Sequence, residues 1–88
     1  MSVEVETIGA DDFLVKVSAA TSTEHRVTLT DAYWKQVWNR SLPKKEVIAR
    51  SFDFLLERES NSSILRSFEL PIIQRYFGEY EGIAATWK

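Results

Sequence analysis

The sequence predicts an α+β fold, in which a three-stranded antiparallel meander is followed by three or four helices packed on one face. Two changes along the chain support this prediction. Apolar and polar residues alternate through the N-terminal third, which is the period of a half-buried strand. After Thr30 the apolar residues recur at helical spacing, and large apolar side chains are dense between Ser51 and Tyr80. That density indicates a packed core.

The strand pattern occurs three times, at about residues 2–8, 13–18 and 24–30. In the first segment Val3 and Val5 alternate with glutamates. The connections between the segments are short, and the first contains Gly9, which suits a turn. Short connections favour antiparallel pairing, with one face of the sheet packed and the other solvated.

The first helix is predicted to begin at Thr30, whose side chain can cap it. Its apolar stripe consists of Tyr33, Trp34, Val37 and Trp38. The two tryptophans could form a ligand-stacking surface, but this spacing is more typical of a helix face that packs into a core. Pro43 then suits the first position of a second helix.

The second helix has the widest predicted apolar surface. Its apolar residues span an arc of about 200°, which one neighbouring element cannot cover. These residues are Val47, Ile48, Phe52, Phe54, Leu55 and Leu56. We therefore expect this helix to lie centrally, with Phe52 and Leu55 buried.

The C-terminal third is predicted to form short helical turns. Ser62 or Ser63 can cap one that runs through Phe68, and Pro71 can open another that Gly78 closes in the left-handed conformation. Residues 78–88 are expected to be a partly ordered tail of a single domain that spans residues 1–88.

Composition excludes several classes of protein. The chain has 88 residues and no cysteine, so disulfides and thiolate chemistry are both ruled out. Small secreted domains usually need disulfides, which favours the cytoplasm. No apolar run approaches the roughly 20 residues of a membrane span, and the N-terminus lacks the signal-peptide pattern. A net charge of −2 makes nucleic acid an unfavourable partner.

Catalytic, metal-binding and cofactor-binding residues are not indicated. His25 is the only histidine, so it has no second histidine or cysteine with which to bind zinc, and a structural role is the simpler interpretation. The Asp11–Asp12 pair lacks the spacing of a calcium loop. The sequence has no nucleophile elbow and no glycine-rich phosphate loop. We therefore expect a protein that is not an enzyme and has no cofactor.

Two groups of residues are candidates for an interaction surface. Between residues 35 and 50, five basic residues face a single acidic one, Glu46, although a solvated helix junction would also explain this excess. The second group lies in the C-terminal tail and is apolar. The candidate surface comprises Lys35, Arg40, Lys44, Lys45, Tyr80, Ile83 and Trp87.

The segment Phe52-x-Phe54-Leu55-Leu56-Glu57-Arg58-Glu59, with Ser63-Ile64-Leu65 and Arg75-Tyr76-Phe77 after it, resembles a group of short uncharacterised bacterial proteins. These share an FLLERE…SIL…RYF signature. The resemblance covers mainly residues 47–80. Such proteins often have proline where this chain has Ser60 and Gly78, which leaves the turns at these helix ends undefined. The resemblance implies a bacterial source and no particular activity.

These observations favour a small cytoplasmic interaction or regulatory module that binds another protein, outside membranes, as a monomer or weak homodimer. The alternative is a DNA-binding regulator similar to ribbon–helix–helix repressors. There, two strands of a dimer enter the major groove, and the reading face would be Glu24, Arg26, Thr28 and Thr30. Glu24 and the acidic balance of the chain weigh against it.

Overall fold

A four-stranded mixed sheet with helices on one face forms the architecture in the computed structural model, which describes residues 2–87. The strands are β1 (Ser2–Thr7), β2 (Asp12–Ser18), β3 (Ser22–Thr28) and β4 (Ser67–Glu69). The helices are α1 (Asp31–Trp38), α2 (Lys44–Leu56), α3 (Ile72–Tyr76) and α4 (Tyr80–Ala84), with a 3₁₀ turn at Asn61–Ser63. The α+β class is therefore confirmed, and the predicted bounds of the first three strands are close to those observed.

The strand order is β1-β2-β3-β4, and the first three strands form the predicted antiparallel meander. The side chains of Phe13, Val15 and Val17 on β2 are buried under the helices, while alternate residues face solvent. The alternation gives β2 one apolar face that packs against the helices, as the strand pattern predicted.

The prediction of a purely antiparallel sheet was wrong, because β4 pairs with β3 in parallel, with Val27 opposite Phe68. A helical turn was expected through Phe68. Two backbone hydrogen bonds mark the ends of the pairing, from Arg26 N to the Arg66 carbonyl (2.7 Å) and from Leu70 N to the Thr28 carbonyl (2.9 Å). A parallel pair needs a long crossover, which α1 and α2 supply. Long-range pairing thus overrides the local helical preference.

Helix α1 begins as predicted, because the Thr30 side chain accepts a hydrogen bond from Tyr33 N at 3.3 Å. It ends at Trp38, and the C-cap residue Asn39 takes the left-handed conformation with φ 48°. Pro43 precedes α2 as its N-cap residue rather than occupying the first helical position. Central placement of α2 is confirmed, since six of its residues are buried, Phe52 and Leu55 among them.

The C-terminal segment is packed into the core. Tyr80 and Ala84 of α4 are fully buried, and Trp87 packs against the core cluster. The expected left-handed conformation at Gly78 was wrong, because no glycine of residues 2–87 has a positive φ. Instead α3 ends in an extended residue, Phe77, and the Gln74 side chain bridges to α4. It donates to the Gly78 carbonyl (2.7 Å) and accepts from Glu81 N (2.8 Å). Lys88 lies outside the described residues.

Candidate interaction surface

The four basic residues of the predicted surface do not act alike. Lys35, Arg40 and Lys45 are exposed. The side chain of Lys44 is only 12% exposed, because its Nζ is paired with Asp11 Oδ1 at 2.9 Å and with Asp31. Burial lowers the Lys44 pKa, but the hydrogen bonds with Asp31 and Asp11 outweigh that effect and raise it. Lys44 therefore ties α2 to α1 and to the β1–β2 turn.

Trp34 lies at the centre of the same junction. Its indole Nε1 donates to the Leu42 carbonyl at 2.7 Å, and Lys44 Nζ lies 5.3 Å from its ring centroid. Arg40 lies 6.0 Å from the same centroid. A cation over an aromatic face gains attraction from the ring quadrupole. Two of the basic residues, Lys44 and Arg40, thus make contacts inside the protein, which fits the interpretation of this region as a structural helix junction.

The apolar residues of the predicted surface are also largely internal. Tyr80 is fully buried, so its place on an interaction surface is corrected by the structure. Its hydroxyl meets Ser51 Oγ at 2.7 Å, and its ring packs edge-on against Phe54 and Trp87. Ile83 is the more exposed member of the set, at 38%. Tyr80 and Trp87 of this segment therefore contribute to the core, and Ile83 is its exposed apolar side chain.

A different surface is open and apolar: a groove between the C-terminal end of α2, β4 and α3. Its volume is about 350 Å³, and Leu65, Phe68, Ile72 and Tyr76 contribute to its lining. A second depression shares Leu65, Phe68 and Ile72 and extends past β4 to Gln74 and Arg75 of α3. Leu65 is 46% exposed and Tyr76 67%. We call these two connected depressions the β4–α3 groove.

The strand that borders the groove is an edge strand with free backbone groups. Arg66 O and Leu70 N bond to β3, so Phe68 between them turns its own N–H and C=O toward β3. The N–H and C=O of Ser67 and Glu69 consequently point away from the sheet. No other part of residues 2–87 pairs with this edge, because β4 is last in the strand order. Such an edge is a template for a further strand.

Charged groups around the β4–α3 groove are mostly acidic. Within residues 2–87, three acidic residues, Glu59, Glu69 and Glu81, and one basic residue, Arg75, border its two depressions. The Glu69 side chain lies on the opposite face of β4 from Phe68. Burial raises the pKa of Glu59, the carboxyl at the apolar end. Glu81 is fixed in place because it accepts a hydrogen bond from the Tyr33 hydroxyl at 2.9 Å. The groove is therefore complementary to a ligand that combines apolar and basic groups.

His25 supports the groove from inside. Its Nδ1 lies 2.7 Å from the Leu65 carbonyl, which can only accept, so Nδ1 carries the proton. Its Nε2 lies 2.8 Å from Thr23 Oγ1, and Asn61 Nδ2 donates to the same oxygen at 3.0 Å. The Thr23 hydroxyl can then donate to Nε2. His25 is fully buried, so the structural interpretation of this residue fits its position.

No three side chains of the metal-binding types within residues 2–87 lie close enough together to hold a metal ion. None of the helices in the same range is both long and apolar enough to cross a membrane.

Sequence reasoning missed the β4–α3 groove because it assigned Leu65, Ile72 and Tyr76 to the core. A weak signal was present: Ser67, Phe68, Glu69 and Leu70 alternate between polar and apolar residues. That pattern is too short to establish a strand by itself.

Comparison with known proteins identifies no relative of this chain. No protein-family model, no curated protein and no solved structure matches the chain.

Proposed function

We propose that this protein is a non-catalytic interaction module that binds another protein through the β4–α3 groove. The observation that supports this proposal is the exposure of Leu65 and Tyr76 beside an open strand edge. Half-exposed apolar side chains that line a groove are common at protein-binding sites. Tyrosine is also enriched among the residues that dominate binding energy.

The chemistry of the groove favours protein over nucleic acid as the partner. Nucleic-acid binding depends on basic groups that neutralise phosphates. Here the residues of 2–87 that border the groove are apolar and acidic, with one basic residue, Arg75, against Glu59, Glu69 and Glu81. The chain as a whole has a net charge of −2. Phosphates would be repelled from this face, whereas apolar and basic side chains of a protein would be accommodated.

The DNA-binding alternative depends on a free edge of β3. A ribbon–helix–helix dimer pairs this strand with its symmetry mate. Within residues 2–87, β2 pairs with one edge of β3 along its length, and β4 pairs with the other edge from Arg26 to Thr28, so the part of β3 that holds Arg26 and Thr28 of the reading face has no free edge. We therefore do not retain that alternative.

The proposal that the protein is not an enzyme is supported by the state of its only histidine. Both ring nitrogens of His25 are occupied by hydrogen bonds, and the side chain is buried away from the groove surface. We also propose the bacterial cytoplasm as its location. The lack of cysteine supports that compartment, and the resemblance to short bacterial proteins supports the source.

Comparative affinity capture tests the proposed function. Three versions of the tagged protein serve as bait: the natural sequence, Leu65→Ser with Tyr76→Ala, and the control Ile8→Ser. Ile8 is matched to Leu65, since the two are 48% and 46% exposed, but it lies in the β1–β2 turn. We expect a partner that the natural protein and the control retain and the double variant loses. A partner that all three baits retain equally would contradict the proposal.

A further inference from the structure

We propose that the partner binds by strand addition: an extended segment pairs antiparallel with the outer edge of β4. The segment carries apolar side chains at alternate positions and a lysine or arginine opposite Glu69. This inference rests on the proposed function and specifies the mode of binding and the chemistry of the bound segment.

The backbone of β4 supplies the pairing groups. Ser67 and Glu69 each direct an N–H and a C=O away from β3, as the hydrogen bonds at Arg66 and Leu70 require. In an antiparallel pair, one residue of the added strand exchanges both bonds with Ser67, and the residue two positions away does so with Glu69. The intervening residue then lies opposite Phe68. An extended main chain is the ligand that satisfies this pattern.

The side chains on either side of the added strand are also defined. The ring of Phe68 faces the helix-covered side, where its centroid lies 6.1 Å from that of Phe52. The partner residue opposite Phe68, and residues two positions away from it, would point to the same side. They would enter the groove beside Leu65, Ile72 and Tyr76. Alternate apolar residues are therefore required of the partner.

Charge determines which partner residues are favoured on the solvated face of the sheet, opposite the helices. Ser67 and Glu69 face that side, because Phe68 faces the helices. A basic residue directly opposite Glu69 would form a favourable cross-strand pair. A second copy of this protein is a poor occupant, since it would bring two grooves of the same acidic character together.

The opposite edge of the sheet is less suited to strand addition. β1 is the other edge strand, and its solvated face carries Glu4 and Glu6. The depression beside β1 is lined by Val3 and Leu56 together with Asp53 and Glu57, so apolar side chains find little contact there. Backbone groups alone do not make a selective site, and β4 is the edge that combines them with an apolar groove.

Peptide selection provides the probe. A phage-displayed library of short random linear peptides is selected against the natural protein, and the best binder is synthesised for titration. We expect a sequence in which apolar residues alternate and a basic residue occupies a fixed position. Replacing that basic residue by glutamate should weaken binding about tenfold or more, since it opposes Glu69 with a like charge.

The hydrogen-bonding role is tested by backbone changes. Ser67→Pro removes an outward N–H that the β3–β4 pairing does not use, whereas Ser67→Ala retains it. We expect about a tenfold loss of affinity for the proline variant and little change for the alanine variant. N-methylation of single peptide amides should weaken binding at alternate positions only. This scan uses the unaltered protein, so it remains decisive even if Ser67→Pro fails to fold.

The outcomes separate the two proposals. Binding that is lost in Leu65→Ser but unaffected by Ser67→Pro and by every N-methylation would contradict strand addition and leave the groove as a side-chain site. Selection of no peptide whose binding depends on Leu65 would contradict the proposed function itself. The matched variant Ile8→Ser should bind as the natural protein does, and a loss there would also count against the groove.

Discussion

His25 is a buried polar side chain whose protonation state is fixed by its neighbours. Its Nδ1–H donates to the Leu65 carbonyl, and its Nε2 accepts a hydrogen bond from the Thr23 hydroxyl. The Thr23 oxygen itself accepts a hydrogen bond from Asn61 Nδ2. A protonated ring would carry a donor at Nε2, so the Thr23 hydroxyl would lose the acceptor for its own hydrogen. Burial lowers the pKa of His25, and the charge of Arg66 acts in the same direction, against the effect of the Leu65 hydrogen bond.

The first prediction concerns the pH dependence of folding. The His25 pKa is below 6.5 in the folded protein, so the unfolded chain binds more protons as pH falls through 6.5. The free energy of unfolding should therefore decrease as the pH falls from 6.5 to the pKa of His25 in the folded protein. Below that pKa, His25 should cause no further decrease. Burial raises the pKa of Glu59, which acts in the opposite direction at lower pH.

Two measurements check this prediction. Denaturant unfolding at several pH values should show a decrease toward acid in the natural protein that is absent in His25→Gln, and the comparison cancels the contribution of Glu59. Because the chain has a single histidine, its Hε1 resonance can be assigned unambiguously by NMR and followed with pH. A titration midpoint at or above 6.5 would show that the ring is not held neutral.

Burial should decide the effect of truncating aromatic and aliphatic side chains. Phe52 and Leu55 are buried at the centre of α2, whereas Tyr76 is 67% exposed. We expect Phe52→Ala to cost about 3–5 kcal/mol of the free energy of unfolding and Leu55→Ala about 2–5 kcal/mol. Tyr76→Ala should remain within about 0.5 kcal/mol of the natural protein. Chemical denaturation measures all three, and a stable Phe52→Ala variant would show that α2 is not central.

At the scale of elements, α4 connects the two preceding long helices. Trp38 Nε1 donates to the Ala84 carbonyl at 2.9 Å, and the Tyr33 hydroxyl donates to Glu81. Ser51 Oγ uses its one hydrogen for the Val47 carbonyl, so the Tyr80 hydroxyl donates to Ser51 Oγ. These contacts are why the C-terminal segment belongs to the core.

Substitutions at Tyr80 should separate packing from hydrogen bonding. Tyr80→Phe keeps the ring contacts with Phe54 and Trp87 and removes one hydrogen bond, so it should cost about 1 kcal/mol. Tyr80→Ala leaves a cavity and should cost about 3–5 kcal/mol. Thermal unfolding of both variants checks the order. Equal melting of Tyr80→Ala and the natural protein would mean that the C-terminal segment does not contribute to the core.

The elements predicted correctly are those with a long local pattern. The first three strands alternate over six or seven residues each, and α2 carries a wide apolar arc over 13 residues. β4 has three residues, and its partner Val27 lies far back in the sequence, so no local pattern could reveal the pairing. Tyr80 was misplaced for a similar reason, since its partner Ser51 belongs to a distant helix.

At the scale of the whole molecule, residues 2–87 present two faces that could meet a partner, and charge distinguishes them. The junction of α1 and α2 exposes Lys35, Arg40 and Lys45, while the β4–α3 groove is apolar and mainly acidic. Sequence reasoning identified the basic junction, with Lys44, and the apolar C-terminal residues Tyr80, Ile83 and Trp87 as the candidate surface. Only side-chain exposure, which depends on the complete fold, shows that Leu65 and Tyr76 remain outside the core.

The central claim, that the β4–α3 groove is the binding surface, is tested most directly by NMR. Uniformly nitrogen-15-labelled protein is titrated with the peptide selected from the library, and the backbone amide shifts are mapped onto the sequence. We predict that the shifts centre on residues 65–76, with the largest at the free amides of Ser67 and Glu69. Shifts that centre on Lys35, Arg40 and Lys45 and leave the β4 amides unchanged would contradict the account.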